Sequence, residues 1–220
     1  MPKGLIAIGD IHGCYNSLVS LIDTLSIYNN YTFVFLGDYI DRGVQSGKVI
    51  DYLIGFGAEK DAVFLRGNHE QMMLDALDSG DLIHWFMNGG QSTIESYGTG
   101  STIHDIPDEH IRFIRATKLH YDTTAFFFAH AGAPVHQTIE ESIHDPDSQE
   151  YFLWGRDHIS TENMAWEKPV VFGHTPMQKP LLTDLKIGID TGCVYSSEGY
   201  GTLTAVVLPE RTIIQQPSLD

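Results

Sequence analysis

Three short apolar segments in the first third of the chain, each followed by glycine and polar residues, constrain the fold more than any other feature. Residues 5–8, 32–36 and 62–65 are rich in β-branched and aromatic side chains, which predicts buried strands that end in loops. Between them, apolar residues repeat at the spacing of amphipathic helices: Leu18, Leu21, Ile22 and Leu25, then Val49, Leu53 and Phe56. The pattern predicts a β-α-β-α-β arrangement.

The remainder of the chain predicts helices first and strands afterwards. Residues from about 71 to 118 are mostly helical in pattern, with a helix opening at 107–109, and we expect them to flank the sheet. Strand character returns in four segments: 124–129, 170–172, 182–189 and 202–208. The weakly patterned stretch 134–168 is expected to run over the surface. Because the sequence shows neither linker nor repeat, we expect one domain, 1–220.

Charge and composition argue against several classes of partner. The formal charge of −16, from 29 acidic and 13 basic residues, argues against a groove for a nucleic-acid polymer, since such grooves need clustered Lys and Arg. The N-terminus lacks the long apolar segment of a signal peptide, and no apolar run approaches the roughly 20 residues of a membrane span. The two distant cysteines, Cys14 and Cys193, make no disulfide framework, and their spatial relation stays open. We therefore expect a cytoplasmic protein without a membrane partner.

Polar side chains that can bind metals follow five of the predicted strands. In chain order they are Asp10 and His12, Asp38 and Asp41, Asn68 and His69, His130, and His174. Because ligands in open α/β sheets gather at the carboxyl ends of strands, we expect these side chains to converge. The other seven histidines are expected to be structural or on the surface: His84, His104, His110, His120, His136, His144 and His158.

Three of these segments resemble the signature blocks of one enzyme family. Gly-Asp-Ile-His-Gly at 9–13, Gly-Asp-Tyr-Ile-Asp-Arg-Gly at 37–43 and Gly-Asn-His-Glu at 67–70 look like those of the phosphoprotein phosphatase family of metallophosphoesterases. The spacing agrees too, because 28 positions separate the first aspartates of the first two blocks and 30 more lead to the asparagine of the third. The resemblance covers about residues 4–205 and points to the small bacterial and phage members.

The resemblance implies a fold and a metal centre. The fold would be a calcineurin-like metallophosphoesterase α/β sandwich, in which two mixed sheets lie between helices in four layers, α/β/β/α. Two divalent metal ions would be bound, the first by Asp10, His12 and Asp38, and the second by Asp38, Asn68, His130 and His174. Oxygen and imidazole ligands without thiolate suit Mn²⁺, Fe or Zn²⁺, and we expect Mn²⁺. A hydroxide that bridges the two metals would attack phosphorus.

The resemblance also assigns the groups that handle the substrate. His69 resembles the general acid of the family, which protonates the leaving oxygen, and Asp41 resembles the carboxylate that orients this imidazole. Arg42 and Arg156, the latter in a Trp-Gly-Arg segment, would bind phosphate oxygens. Arg66 is expected to be structural.

The implied activity is hydrolysis of phosphomonoesters, with phosphoserine, phosphothreonine and also phosphotyrosine in proteins or peptides as expected substrates. Related enzymes that hydrolyse diadenosine tetraphosphate share most of the blocks, so a dinucleoside polyphosphate is the alternative substrate. The symmetrical bacterial enzymes of that kind typically lack the acid at the position of Asp41, which favours a phosphomonoester here. A further alternative is a metal-binding scaffold without catalysis, and the complete set of expected ligands argues against it. The oligomeric state stays open.

Overall fold

The computed structural model describes residues 4–220, and residues 1–3 of the N-terminal segment discussed above lie outside the described part. Ten strands and eight α-helices are present in residues 4–220, joined by loops and three short 3-10 helices. In chain order they are β1 (Leu5–Ile8), α1 (Tyr15–Thr24), β2 (Thr32–Phe35), α2 (Ser46–Glu59), β3 (Ala62–Phe64), α3 (Asn68–Ser79), α4 (Ile83–Met87), α5 (Gly90–Glu95), α6 (Asp108–Ala116), β4 (His120–Asp122), β5 (Phe127–Ala129), α7 (Ile139–His144), α8 (Ser148–Trp154), β6 (Val170–Phe172), β7 (Leu181–Leu182), β8 (Lys186–Gly188), β9 (Thr202–Leu208) and β10 (Thr212–Pro217).

The first sheet contains the predicted β-α-β-α-β unit. Strand β1 pairs with β2, and β2 with β3, in parallel. The strands β9 and β10 add antiparallel neighbours on the other side of β1, giving the order β10-β9-β1-β2-β3. Because the three parallel strands point the same way, the loops that follow them leave from one edge of the sheet.

The second sheet has the order β4-β5-β6-β8-β7. Its three central strands, β5, β6 and β8, are parallel, and the two edge strands are antiparallel to their neighbours. Both sheets are therefore mixed, as predicted. Parallel central strands again deliver their following loops to a common edge.

Helices α3 to α6 make up the helical flank expected between the two sheets in sequence. Helix α6 begins after Pro107, and Asp108 and Glu109 lie in its first turn, where their negative charge complements the helix dipole. Within residues 4–220, no helix is long and apolar enough to cross a lipid bilayer.

The layers are held together by three groups of buried apolar side chains. Between the sheets, Val34 and Leu36 of the first sheet and Phe128 and Val171 of the second belong to one cluster and are fully buried. A second cluster joins the first sheet to α1, α2, α3 and α6, and a third joins the second sheet to α7 and α8. The architecture is the predicted four-layer α/β/β/α sandwich.

The structure corrects several predicted boundaries. Strands β4 and β10 were not predicted, because each is an edge strand with exposed or partly exposed side chains and carries no apolar run. The predicted strand 182–189 is two antiparallel strands, β7 and β8, joined by a turn. The stretch 134–168 contains α7 and α8, which are six and seven residues long, too short to show a clear helical period.

The two cysteines lie side by side in the core beneath the first sheet. Cys14 and Cys193 are buried and do not form a disulfide, and their thiols hydrogen-bond to each other. The thiol of Cys14 also lies 3.6 Å from the carbonyl oxygen of His12. The spatial relation that the sequence left open is therefore direct contact.

Truncation of Phe128 tests the inter-sheet core. The ring is fully buried between the sheets, so Phe128→Ala is expected to lower the free energy of unfolding by about 3–5 kcal/mol, through lost burial and the cavity that remains. Urea denaturation measures this. The control is Leu182→Ala on the edge strand β7, where the side chain is 42% exposed and the change should stay within about 0.5 kcal/mol. Equal effects of the two substitutions would contradict the layer assignment.

Candidate active site

The ten predicted site residues meet at the carboxyl-terminal edges of the two sheets. Every one of them lies within hydrogen-bonding or ion-pair distance of another member. The set is Asp10, His12, Asp38, Asp41, Arg42, Asn68, His69, His130, Arg156 and His174. The strand-end rule therefore brought together residues up to 164 positions apart in sequence.

The backbone at these strand ends is strained. Positive φ angles occur at five non-glycine members of the site: His12 (46°), Asp38 (51°), Asp41 (70°), Arg42 (67°) and His174 (65°). Side-chain-bearing residues seldom adopt this left-handed region, and each instance costs on the order of 1–3 kcal/mol. In residues 4–220, Arg211 is the only other example. Strain is thus concentrated where side chains must be aimed at a common point.

The first group of possible metal donors surrounds one oxygen of Asp38. His12 Nε2 lies 3.4 Å from Asp38 Oδ2, and His69 Nε2 lies 3.9 Å from it. His12 Nδ1 lies 2.8 Å from the carbonyl oxygen of Ile40, so the proton of the neutral ring belongs on Nδ1. Burial lowers the pKa of His12 well below its ordinary value, which leaves Nε2 with a free lone pair aimed at the carboxylate.

The second group surrounds the other oxygen of Asp38. His130 Nε2 lies 3.4 Å from Asp38 Oδ1 and 3.0 Å from Asn68 Oδ1. His174 Nδ1 lies 3.0 Å from the same amide oxygen and 3.2 Å from His130 Nε2. His130 Nδ1 faces the carbonyl oxygen of Leu36 at 2.9 Å, which directs the lone pair of Nε2 into the group. The set combines imidazole, carboxylate and amide donors and suits a divalent transition metal.

Asp10 lies beside the two groups rather than inside them. Its carboxylate accepts the backbone N–H of His174 at 3.0 and 3.2 Å, and a Cβ at position 173 would collide with it, which requires Gly173. The two sets of donor atoms that lie within 4.8 Å of one another contain His69 in the first group but not Asp10. Asp10 therefore lies on the β1 side of the donor groups and binds the backbone of the loop that carries His174.

Buried negative charge accumulates around this point. Burial raises the pKa of Asp10 well above its ordinary value, and the neighbouring charges of Asp190 and Asp38 raise it further. Burial likewise raises the pKa of Asp190 to about 7. Burial alone would raise the pKa of Asp38, but the surrounding histidines hold it below its ordinary value. Cations bound here would stabilise all three carboxylates as anions.

Asp190 is a residue that sequence reasoning missed. It follows β8, the next parallel strand of the second sheet, and is 4% exposed. The strand-end rule that found the other carboxylates also applies to β8. The sequence hides this end of β8, because the apolar pattern predicts one long strand, 182–189, that ends one residue before this side chain.

His69 and Asp41 form a buried pair. His69 Nδ1 lies 2.7 Å from Asp41 Oδ2. The carboxylate also accepts hydrogen bonds from Trp85 Nε1, at 2.9 and 3.0 Å, and from Thr93 Oγ1 at 2.6 Å. Burial lowers the pKa of His69, but the carboxylates of Asp38 and Asp41 outweigh it and raise the pKa above the ordinary 6.5. The imidazole therefore holds its proton to a higher pH than an ordinary histidine, which suits a proton donor.

Two arginines reach the donor groups from the solvent side. Arg42 Nη1 lies 2.6 Å from His12 Nε2, and Arg156 Nε lies 3.1 Å from His174 Nε2. Both are exposed residues. Each guanidinium thus faces a ring nitrogen of a possible metal ligand and has its other donors available for an anion.

Glu70, a second missed residue, ties the loops after β2 and β3 together. Its carboxylate accepts the backbone N–H groups of Asp38 at 2.8 Å, Tyr39 at 2.8 Å, Ile40 at 3.3 Å and Gly67 at 2.9 Å. Burial raises the pKa of Glu70 to about 7, while these donors favour the ionised form. The sequence signal was its place in the first turn of α3, where an acid ordinarily only caps the helix.

Most of the residues that we expected to be structural have structural contacts. Arg66 donates to Thr117 and to the carbonyl oxygen of Arg115. His158 is buried behind the site. His84 is exposed on the surface, as expected, and its ring lies next to that of Trp154.

Comparison with known proteins identifies the family. The family model described as calcineurin-like phosphoesterase matches residues 5–202. The chain belongs to this family. Membership confirms the predicted metallophosphoesterase fold and the general class of metal-dependent hydrolase, and the two donor groups described above are able to bind metal.

Relatives of this calcineurin-like phosphoesterase carry two different names. The asymmetrical bis(5'-nucleosyl)-tetraphosphatase PrpE of Oceanobacillus iheyensis is 29% identical over 239 residues, which cover 96% of this chain and 91% of the relative. Serine/threonine-protein phosphatase 1 of Salmonella typhimurium is 29% identical over 198 residues, covering 87% of each chain. A solved structure provisionally described as a diadenosine tetraphosphatase superposes with a TM-score of 0.70 at 22% identity, covering 99% of this chain and 95% of that one. This last similarity bears on the fold alone.

The Asp41–His69 pair gives a prediction about proton affinity. Because the Asp41 carboxylate raises the pKa of His69, Asp41→Asn is expected to lower that pKa, so that the imidazole loses its proton at a lower pH than in the unsubstituted protein. Proton NMR of the His69 ring across pH, in metal-free protein, measures the change. Thr93→Val removes a hydrogen bond to the same carboxylate but keeps its charge, so its effect should be smaller. An unchanged His69 pKa in Asp41→Asn would contradict the pairing.

Proposed function

We propose that this calcineurin-like phosphoesterase hydrolyses dinucleoside tetraphosphates asymmetrically, adding water across one P–O–P bridge to release a nucleoside monophosphate and a nucleoside triphosphate. The observation that carries the substrate class is the relative from Oceanobacillus iheyensis, which has this name and aligns over 96% of this chain and 91% of its own length. The comparisons thus favour the alternative substrate over the phosphomonoester that the sequence suggested.

Asp41 is the residue that favours a phosphomonoester on sequence alone. That residue distinguishes this chain from symmetrical tetraphosphatases, whereas the relative is an asymmetrical one. The presence of Asp41 is therefore compatible with a dinucleotide substrate. Its contacts with His69 support a role in proton transfer whichever phosphate ester is bound.

The metal assignment supports this reaction. We assign Asp10, His12 and Asp38 to one divalent ion and Asp38, Asn68, His130 and His174 to another, with Mn²⁺ as the expected ion and Fe or Zn²⁺ also suited to the donors. The donor groups described above contain His12 and Asp38 of the first set and Asp38, His130 and His174 of the second. Asp10 and Asn68 adjoin them through contacts with His174 and His130. When bound, two such ions supply an activated water and positive charge for the phosphate oxygens. These residues fit a pair of metal ions because neutral ring nitrogens of His12 and His130 face the shared carboxylate of Asp38.

The proposed metal ligands also affect the two arginines of the site. His12 Nε2, which now faces Arg42, would be a metal ligand, and His174 would bind metal through Nδ1 and keep its proton on Nε2, which now faces Arg156. With those ring nitrogens engaged, both guanidinium groups would be free at the solvent side of the site to bind the negatively charged oxygens of a polyphosphate chain.

His69 donates a proton to the leaving oxygen. Its pKa is raised, so it holds a proton to a higher pH than an ordinary histidine, and because Asp41 holds the ring through Nδ1, the transferable proton is the one on Nε2. A nucleoside triphosphate is a weakly basic leaving group and needs this proton less than a serine alkoxide does. The size of the His69 contribution therefore depends on the substrate.

Phosphoprotein hydrolysis is the second candidate. Serine/threonine-protein phosphatase 1 of Salmonella typhimurium aligns over 87% of both chains. The intact pair of His69 and Asp41 also suits a leaving group that requires protonation.

Parallel assays of manganese-loaded protein on diadenosine tetraphosphate and on a phosphoserine peptide test the proposal. The dinucleotide is expected to have the larger kcat/KM, with AMP and ATP as products on chromatography. His69→Asn is the matched variant. It should keep its metal, lose about 10²-fold in turnover of the dinucleotide, and lose more on the peptide, because the alkoxide needs the proton.

Each other outcome contradicts part of the proposal. Faster peptide turnover would make the chain a protein phosphatase. ADP as the sole product would exclude asymmetrical cleavage. Metal binding without turnover of either substrate would support the scaffold alternative.

A further inference from the structure

An exposed tryptophan borders the proposed metal centre. The ring of Trp154, at the end of α8, meets the ring of His174 edge-on, with centroids 6.1 Å apart and an interplanar angle of 87°. Trp154 is 37% exposed, whereas Trp85 and Trp166 are only 1% and 4% exposed. A large ring left open to solvent beside a reaction centre is a candidate contact for substrate.

A second ring lies beside Trp154. The imidazole of His84, on α4, lies with its centroid 6.3 Å from that of Trp154 and its plane within 29° of parallel. His84 is itself exposed. The two neighbouring rings therefore offer aromatic faces on which a flat ring of a ligand can stack.

The helix that carries His84 presents apolar side chains to solvent. Ile83 is 68% exposed, Phe86 is 37% exposed and Met87 is 82% exposed. Together with Trp154 they make an apolar surface next to charged phosphate-binding groups. A ligand that is polyanionic at one end and aromatic at the other matches this combination.

A cavity adjoins Trp154 on the face of α8. It has a volume of about 290 Å³ and is lined by Asp147, Glu150, Tyr151, Trp154 and Gly155. The hydroxyl of Tyr151 is buried and has no hydrogen-bond partner among residues 4–220. The two carboxylates can accept hydrogen bonds from an exocyclic amino group, which adenine carries and an aliphatic or phenyl side chain lacks. The lining thus favours a ring that carries a hydrogen-bond donor, as an amino-bearing nucleobase does, over an apolar side chain.

We propose that Trp154 and His84 form the subsite for a nucleobase of the substrate, which stacks on these exposed rings. This inference rests on the proposed function, since it places one base of the dinucleotide beside the metal centre. Trp154 contacts His174 directly, so only one ribose separates the stacked base from the reacting phosphate. The reacting phosphate is then the one attached to that ribose, and its release as a mononucleotide follows from the placement.

The decisive experiment compares a substrate that has bases with one that has none. Manganese-loaded protein, Trp154→Leu and His84→Ala are assayed on diadenosine tetraphosphate and on glycerol phosphate. For both variants, the ratio of kcat/KM on the dinucleotide to that on glycerol phosphate is expected to fall by about tenfold, mainly through KM, because base stacking on an aromatic ring contributes to binding. Leu182→Ala, exposed on the distant edge strand β7, is the control and should leave the ratio unchanged.

A binding measurement separates this inference from the proposed function. AMP should quench the tryptophan fluorescence of the manganese-loaded protein, because Trp154 is the exposed tryptophan, and Trp154→Leu should remove the quenching. Quenching by AMP without dinucleotide turnover would overturn the proposed function and keep the subsite. Dinucleotide turnover with an unchanged ratio in both variants, and no quenching by AMP, would overturn the subsite and keep the function. The same variants are also assayed on a phosphoserine peptide, where a tenfold loss confined to that substrate would overturn the subsite and assign the rings to a peptide instead.

Discussion

The shared carboxylate of Asp38 is the constraint on which the rest of the site depends. One oxygen faces His12 and His69, and the other faces His130, so a single side chain joins donors from both sheets. It stands on left-handed backbone at the end of β2, and its N–H is fixed by the carboxylate of Glu70. Loss of either restraint would let the loop relax and separate the two groups of donors.

The sandwich makes this arrangement possible. A buried apolar layer fixes the two sheets face to face, and their parallel strands end at neighbouring edges. The rigid layers can then support five strained residues and several buried carboxylates at one place. The packing of the core offsets the free energy that this strain and buried charge cost. Repulsion between Asp10, Asp38 and Asp190 is relieved when cations bind, so affinity for metal and the stability of the fold are linked.

The sequence predicted the part of the site that depends on strand ends. Apolar runs followed by Asp, Asn or His located the donors, and the family resemblance supplied their roles. The sequence could not predict the role of side chains whose function depends on contacts made only in the folded chain. Glu70 carries an ordinary helix-capping signal, and its four bonds to two loops appear only in the structure. His84 and Trp154 are 70 positions apart in the sequence and meet only through packing of α4 near α8.

Metal stoichiometry tests the shared role of Asp38 most directly. Manganese content after equilibrium dialysis, with affinity from calorimetry, should show two ions per chain in the unsubstituted protein and in the control Glu59→Gln, an exposed acid on α2. In Asp38→Asn neither ion should bind at the original affinity, because both donor groups lose their common anion. Retention of even one ion at the original affinity by Asp38→Asn, or a single ion in the unsubstituted protein, would contradict a binuclear centre bridged by this carboxylate.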